Sequence, residues 1–452
     1  MVRSLIAATI LLTLLFIGIP IEHKYDKVFR FYSLTLIPSG LDLPNHFDKK
    51  IYFYLSDLAI LLLFGFGLYQ RRLQLFEKGG IWLALVFLCA ISSITFSPLA
   101  NYPIPYIRLL QLFTPFALYL FLASGIIPKE KLFKIFSWSL FGSGLFQAAL
   151  ASYQYMAQQT LGLRILGEQS LGAALLTFGG RRWLPDNLSN TDDTPLKLFR
   201  AIGTLSHPNV LGGMLVLSLL MTAYLFQKNR SYRLWLAPCY LLQLFALATT
   251  YSRSAIFAYL LATFTWVFWM RIKERCWMKA ATLLTAVSLL LIATLFSEQY
   301  LQRGGIVNYT LVSRDSDRER FFYQNIALKM VEKQPISGVG YGQFSLQSPS
   351  FGAKSAAHIG ATHNIYLLLA SEMGLLSLLA FLSWIATLFF YAWRAGAEET
   401  GLLLSAFIGF LFIGLCDFYP LVFQQGKLLF FSTAGLLAAF SFPHLKAALQ
   451  KF

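Results

Sequence analysis

Charged residues are scarce in this sequence. Only 13% of the 452 residues are charged and 57% are apolar, whereas soluble globular proteins carry about 25% charged residues. Acidic residues are especially few, 21 against 37 Lys and Arg, which gives a formal net charge of +16. This composition excludes an ordinary soluble domain and predicts a chain that crosses a membrane many times.

Cysteine is also scarce, and its placement excludes a disulfide framework. Three of the four cysteines, Cys89, Cys239 and Cys416, fall in apolar runs, and the sequence has no CxxC and no Cys/His cluster with zinc spacing. A phosphate-binding loop for ATP is missing as well, because the glycine-rich "GVGYGQF" at 338–344 is not followed by Lys-Ser or Lys-Thr. The sequence therefore offers no recognisable motif for a zinc site or for ATP.

Long apolar runs make up most of the chain. A helix needs about 20 apolar residues to cross a bilayer, and twelve segments come within a few residues of this length. The first has no small-residue cleavage site after it, so we interpret it as a retained span and not as a signal peptide. We predict an all-α integral membrane protein with about 12 transmembrane helices. The candidate spans are 4–20, 52–69, 81–97, 107–127, 135–157, 210–226, 234–250, 254–270, 280–297, 364–393, 401–418 and 428–443.

Basic residues in the short loops predict the orientation. They follow the second, fourth, sixth and eighth spans, whereas the loop "SPLANYPIPY" between the third and fourth spans has none. Short cytoplasmic loops are enriched in Lys and Arg. Both termini are therefore predicted to be cytoplasmic, and the other ends of the spans are predicted to face the periplasm.

Two long segments remain on the outer side, at about 158–209 and 298–363. Segments of this length are usually functional or have structure of their own. Their basic residues fit either a polyanionic ligand or a solvated mixture of charges. We divide the chain into a membrane body at 1–297, a large periplasmic loop at 298–363, and a second membrane part at 364–452.

The large loop is predicted to contain a helix at 317–334. Ser316 and Glu319 form an S-x-x-E capping box at its start, and Pro335 stops it. Such a helix either lies on the bilayer surface or caps the membrane body. The apolar face is predicted from a spacing of four residues, by Phe322, Ile326 and Met330.

The motifs in and around this loop resemble a known family. An arginine, an aromatic-rich helix, a proline, the glycine segment at 338–344 and the "HN" pair with its following Leu and Gly resemble the pattern of the O-antigen ligase and polymerase superfamily. "RAIGTLSHPN" at 200–209 and "YSRSA" at 251–255 resemble two further motifs of that superfamily. The departures are modest: Ser377 stands where several members have glycine, and Gln324 stands where an aromatic residue is usual.

The resemblance implies a bacterial inner-membrane glycosyltransferase of the GT-C type. Such an enzyme moves a glycan from undecaprenyl pyrophosphate at the outer leaflet to an acceptor hydroxyl on a lipid or another glycan. It needs neither a sugar nucleotide nor a metal. The partners it implies are the lipid-linked glycan, the acceptor and membrane lipids, with no nucleic acid.

Arginines suit a leaving pyrophosphate, because a guanidinium stays charged and binds phosphate oxygens in pairs. The resemblance assigns Arg253 and Arg320 to catalysis and Arg200 to substrate binding. We count Arg318 among the substrate-binding residues as a substitute for Arg320. On the residues alone, Arg253 and Arg200 are also explained as anchors in the headgroup layer. Arg320 is also explained as a solvated charge on a surface helix.

The tenth span opens with "THNIYLLLASEMG" at 362–374. From the residues alone, His363 caps this helix together with Asn364. The resemblance makes His363 catalytic, either as the base that takes the acceptor proton or as a group that positions the hydroxyl, with Asn364 orienting the ring. His207 is a further polar candidate near the outer face. Glu372 is included on resemblance alone, because a helical spacing of nine residues puts it on the opposite side from His363.

Four functions remain open. A ligase joins lipid-linked polysaccharide to a lipid core or another acceptor, a polymerase joins repeat units to each other, and a related enzyme transfers glycan to a protein hydroxyl. A bicarbonate-type solute transporter belongs to another class and would show polar residues near the midplane of broken, repeated helices. Polar residues here gather near the predicted outer face, which favours the enzymes.

Overall fold

The computed structural model describes residues 54–163 apart from 72, 74 and 102, residues 200–273, the positions 286, 288, 290 and 294, and residues 311–353 and 362–442. The first candidate span, 4–20, and nearly all of the ninth, 280–297, lie outside the described residues. Most of the predicted outer segment at 158–209 also lies outside them.

The described part of the chain is helical and contains no strand. Ten of the twelve candidate spans overlap helices, because an apolar run in a membrane protein satisfies its backbone groups most simply within one helix. The helices are α1 Leu55–Tyr69, α2 Gly80–Thr95, α3 Pro103–Ala123, α4 Lys129–Ala157, α5 Pro208–Lys228, α6 Arg233–Thr249, α7 Arg253–Lys273, α8 Leu311–Lys333, α9 Phe344–Gln347, α10 Ile365–Ala395, α11 Glu398–Cys416, α12 Tyr419–Val422 and α13 Gln424–Ser441.

Within the described residues, five helices are long and apolar enough to cross a membrane. They are Pro105–Ala123 within α3, and α5, α7, α10 and α11. The class of all-α membrane protein is confirmed by this result. The number of twelve spans stays a prediction.

Helix α5 is the most enclosed of the five spanning candidates, because 89% of its apolar 18-residue stretch is buried inside the protein. It packs against α4, α6, α7 and α11. Two of its residues are glycines that allow close approach: Gly212 faces Ala255 of α7, and Gly213 lies against the hydroxyl of Tyr419. Helix α5 therefore fixes the positions of the helix ends that surround it.

Aromatic rings hold the later helices together. Trp384 of α10 is fully buried, and its ring centroid lies 5.4 to 5.7 Å from the rings of Tyr119, Phe407 and Phe431. These rings come from α3, α11 and α13, so one tryptophan joins four helices. Because lipid tails are as apolar as the side chains, such close packing stabilises a membrane bundle more than removal from water does.

Helix α10 is kinked at Gly374, whose φ of 82° and ψ of 169° are not helical. The kink releases backbone groups, and the segment that follows α8 satisfies them. Val339 donates its N–H to the Ser371 carbonyl at 2.9 Å, and Leu375 donates to the Pro335 carbonyl at 2.8 Å. The segment at 335–340 is thereby bound to α10 by its backbone.

Helix α8 differs from the predicted loop helix in two ways. It begins at Leu311, so the capping-box prediction at Ser316 is wrong; neither glycine nor proline interrupts 311–316, and the helix continues through the serine. The predicted apolar face is rotated, because Phe322 is 43% exposed. The residues that pack against the bundle are Tyr323, Ile326, Ala327 and Met330.

Candidate active site

Several helix ends meet at one end of the bundle, which we call the site end: α5, α7 and α10 begin there and α11 ends there. The His207 ring caps α5 by accepting the N–H of Asn209 at Nδ1, 3.1 Å away. Asn364 caps α10 by accepting the N–H groups of Tyr366 and Leu367 at 2.9 and 3.0 Å. The cap of α10 is therefore Asn364 alone, and the His363 side chain has another role.

Asp417 is the buried acid of the site end. It follows α11 directly, and its side chain is 5% exposed. Asn209 Nδ2 donates to Oδ2 at 2.6 Å, and the Phe418 N–H donates to Oδ1 at 2.8 Å. A buried carboxylate is stable only when charged or polar partners compensate it, and these contacts supply that compensation.

The His363 ring lies beside this carboxylate. Its Nδ1 is 3.4 Å from Asp417 Oδ1, and its side chain is 27% exposed. The imidazole and the Phe418 ring pack edge to face, with centroids 5.0 Å apart. Because Nδ1 faces an acceptor, we assign the ring proton to Nδ1, so that Nε2 is the nitrogen able to take a proton. The 3.4 Å separation is a charge contact longer than a normal hydrogen bond. A histidine whose Nδ1 faces a carboxylate has the arrangement of a general base, in which the bond tightens when substrate binds.

Positive groups surround the pair. Burial by itself raises the pKa of Asp417, but the contact with His363 and the charge of Arg320 lower the pKa below its usual value. The charges of Arg320 and Arg253 also act on the thiol of Cys416, the last residue of α11. Arginines from α8 and α7 thus converge on the end of α11 beside His363.

Arg253 is placed by a tight turn between α6 and α7. Tyr251 in this turn has a φ of 49°, a left-handed conformation that is strained for a residue with a large side chain. Its hydroxyl lies 2.9 Å from that of Tyr155, and its ring is fully buried. The turn lets α7 begin at Arg253, which is half-buried at the site end.

Arg200 differs from the other predicted arginines because it is only 2% exposed. Its Nε donates to the Thr250 carbonyl and its Nη2 to Asn209 Oδ1, both at 2.8 Å. It therefore contacts the α6–α7 turn and the residue that binds Asp417. Arg318, by contrast, is exposed on α8.

Glu372 has partners in the glycine segment. Its two carboxylate oxygens accept the N–H groups of Gly342 and Phe344, each at 3.0 Å. Arg108 of α3 donates to the Gly342 carbonyl at 2.8 Å from the other side. These contacts support a structural role for Glu372, in which it holds the segment that joins α8 to the site end.

Asp417 and Asn209 were not predicted as site residues from the sequence. Asp417 was counted inside the apolar run 401–418, although an acid in such a run is costly and therefore informative. Asn209 ends the quoted motif at 200–209, but its partner lies 208 residues away in the chain. Among the described residues, no group of three or more His, Cys, Asp and Glu is arranged to hold a metal ion.

The fold and the site together define a class: a membrane protein of helices, with a histidine–aspartate pair and converging arginines where helix ends meet. Residues 238–382 match the model of a family described as O-antigen ligase. The match covers roughly a third of the chain and includes Arg253, Arg320 and His363, while Arg200 and Asp417 lie outside it. Over these residues, the match confirms the predicted resemblance to the O-antigen ligase superfamily. No curated protein matches the sequence.

Proposed function

We propose that the protein transfers a glycan from undecaprenyl pyrophosphate to an acceptor hydroxyl, as an O-antigen ligase-like enzyme. The family match supports a ligase-like or polymerase-type function in general. The observation that supports this particular site is the contact between His363 and Asp417, with the charge of Arg320 acting on the same carboxylate.

The proposed reaction needs one proton acceptor and one anion site. His363 Nε2 takes the proton of the acceptor hydroxyl while the hydroxyl oxygen bonds to the anomeric carbon. The bond from that carbon to the pyrophosphate oxygen breaks, and undecaprenyl pyrophosphate leaves with the electron pair. Asp417 stabilises the positive imidazole, and Arg320 and Arg253 stabilise the negative charge of the leaving group.

The site end is proposed to face the periplasm from the bacterial inner membrane, with both chain termini in the cytoplasm and residues 298–363 as a periplasmic loop. The basic loops support this orientation, because they join the opposite helix ends. There Lys78 Nζ donates to the Ala123 carbonyl at 2.6 Å, and Lys228 pairs with Glu398 at 2.5 Å. Lys and Arg near helix ends favour the cytoplasmic side.

His363→Ala and Arg320→Ala test the proposal. Each variant is expected to insert and fold but to accumulate undecaprenyl-linked glycan. For His363→Ala we expect transfer to fall by about 10² to 10⁴-fold, the usual contribution of an acid–base group, and for Arg320→Ala by about 10² to 10³-fold, the usual contribution of a donor that stabilises developing negative charge. Lys329→Ala, an exposed change on the same helix as Arg320, is the matched control and is expected to transfer glycan normally. Normal transfer by both site variants would reject this site.

Deletion of the protein separates the enzyme types. Loss of all attached glycan from the surface glycolipids on a gel indicates a ligase, and retention of a single repeat unit indicates a polymerase. Unchanged glycolipids with slower bicarbonate uptake would instead support the transporter.

A further inference from the structure

Arg200 occupies a position that is unusual for a group that binds substrate. Its side chain is among the largest fully buried ones in the described residues, whereas Arg253 and Arg320 are half-buried. The guanidinium is also directed to protein atoms, through Nε to the Thr250 carbonyl and through Nη2 to Asn209. A guanidinium that is buried and hydrogen-bonded in this way orients the protein groups that it contacts.

The partner that matters is Asn209, because its amide has two different ends. Oδ1 accepts from Arg200 at 2.8 Å, and Nδ2 donates to Asp417 Oδ2 at 2.6 Å. An arginine only donates, so it requires the oxygen of the amide to face it. Arg200 thereby fixes the orientation in which the amide presents its NH₂ group to the carboxylate.

The orientation of the Asn209 amide affects His363 through the Asp417 carboxylate. One carboxylate oxygen is held by Asn209, and the other accepts from the Phe418 N–H and faces His363 Nδ1 at 3.4 Å. If the amide of Asn209 were reversed, its oxygen would face the carboxylate and repel it. The carboxylate would then turn, and its contact with the imidazole would change.

Arg200 also supports the turn that leads to Arg253. The neighbouring Ala201 N–H donates to the Thr249 carbonyl at 3.1 Å, next to the bond from Arg200 to Thr250. One arginine thus connects the ends of α5 and α6, and through Asn209 the end of α11.

We propose that Arg200 is a positioning residue, which acts through Asn209 and Asp417 on the His363 imidazole and does not itself bind the pyrophosphate. This inference rests on the proposed function of the same site. It gives Arg200 a role different from the pyrophosphate contact that the sequence resemblance implies. The line of contacts runs Arg200–Asn209–Asp417–His363.

Arg200→Lys is the first test, because a lysine retains the charge but cannot donate to Thr250 and Asn209 with a planar fork. We expect kcat to fall by about 10- to 100-fold, as for other groups that orient a functional residue without contacting the substrate. The KM for the lipid-linked donor is expected to stay within about twofold of wild type, because the substitution removes no contact with the bound donor. A higher donor KM would overturn the proposal.

A double-mutant cycle with Asp417→Asn gives the sharper readout. Because Arg200 acts through Asp417, Arg200→Lys is expected to lower kcat little further in the Asp417→Asn background. Arg253→Lys is the matched control, and its effect is expected to multiply with that of Asp417→Asn. If the effects of Arg200→Lys and Asp417→Asn also multiply, Arg200 acts independently and the proposal is wrong.

Asn209→Ala serves if Arg200→Lys does not fold, as judged by thermal unfolding in detergent. It removes the middle of the line and leaves the bond from Arg200 to Thr250. The expected result is again a lower kcat with an unchanged donor KM and no further effect in the Asp417→Asn background; multiplying effects or a raised donor KM would contradict the proposal. Full activity of His363→Ala is a different outcome, which rejects the catalytic role proposed for His363. Absence of glycan transfer by the wild-type protein would reject the proposed function itself.

Discussion

Replacing Asp417 with Asn removes one negative charge from beside His363 and leaves the size of the side chain nearly unchanged. The amide places NH₂ donors where the carboxylate offered acceptors. It therefore repels either the NH₂ group of Asn209 or the Nδ1 proton of His363. The imidazole is then free to adopt the tautomer with the proton on Nε2, which cannot take a proton from the acceptor.

The size of the effect follows from the distance of 3.4 Å between His363 Nδ1 and Asp417 Oδ1. At an effective dielectric constant of about 20, two unit charges at that distance attract by about 5 kcal/mol. Loss of all of this stabilisation in the transition state would slow the reaction by about 10³- to 10⁴-fold. The imidazole is partly exposed to solvent, so we expect a loss of about 10²- to 10³-fold in kcat.

The assay is the initial rate of glycan transfer by purified protein in lipid vesicles, measured across pH. In the wild type, the lowered pKa of Asp417 keeps its charge while the pH falls through the usual carboxyl value of about 4. The stability that this carboxylate contributes is therefore fully present above about pH 3.9 and is lost only as the pH falls through the lower folded value.

Asp57→Asn is the matched control, because Asp57 is also a buried aspartate but binds Thr114 and Gln424. It is expected to lower stability without lowering the rate of the folded protein. A rate for Asp417→Asn within about threefold of wild type, with an unchanged pH profile, would refute the role given to the carboxylate.

Two further substitutions test how the site is supported. Glu372→Ala leaves two backbone N–H groups of the glycine segment without their acceptor. We expect the free energy of unfolding to fall by about 1–3 kcal/mol for each buried group left unpaired, and proteolysis of this segment to be faster. The exposed change Glu332→Ala should alter neither. Gly374→Ala adds a methyl group at a φ of 82° against the Ile336 carbonyl, while Gly396→Ala adds one at a similar φ of 73° in open space. In thermal unfolding in detergent, we expect Gly374→Ala to lower the unfolding temperature more than Gly396→Ala does. Equal decreases would contradict the close packing at the kink.

Apolar runs predicted most of the helices, because length and hydropathy are local properties of the chain. They did not predict the kink in α10, since Gly374 lies within the continuous candidate span 364–393. What makes the kink stable is the segment at 335–340, whose backbone groups pair with those of α10. Such pairing between distant segments leaves no periodic signal in either one.

The candidate site was predictable only in part. His363, Arg253 and Arg320 stood out from their motifs, and the structure brings them to the end of α11. Asp417 did not stand out, because one acid at the edge of an apolar run resembles a span boundary. The role of Glu372 was equally hidden, since helical spacing excluded His363 as its partner but gave no reason to expect backbone groups of the glycine segment.

The most direct measurement uses purified protein in vesicles with labelled glycan on undecaprenyl pyrophosphate and an acceptor. We expect the label to move to the acceptor as free undecaprenyl pyrophosphate appears in equal amount, and we expect His363→Ala to lose both products together by at least about 10²-fold. Equal rates for His363→Ala and wild type would contradict the central claim that the His363–Asp417 pair performs the transfer.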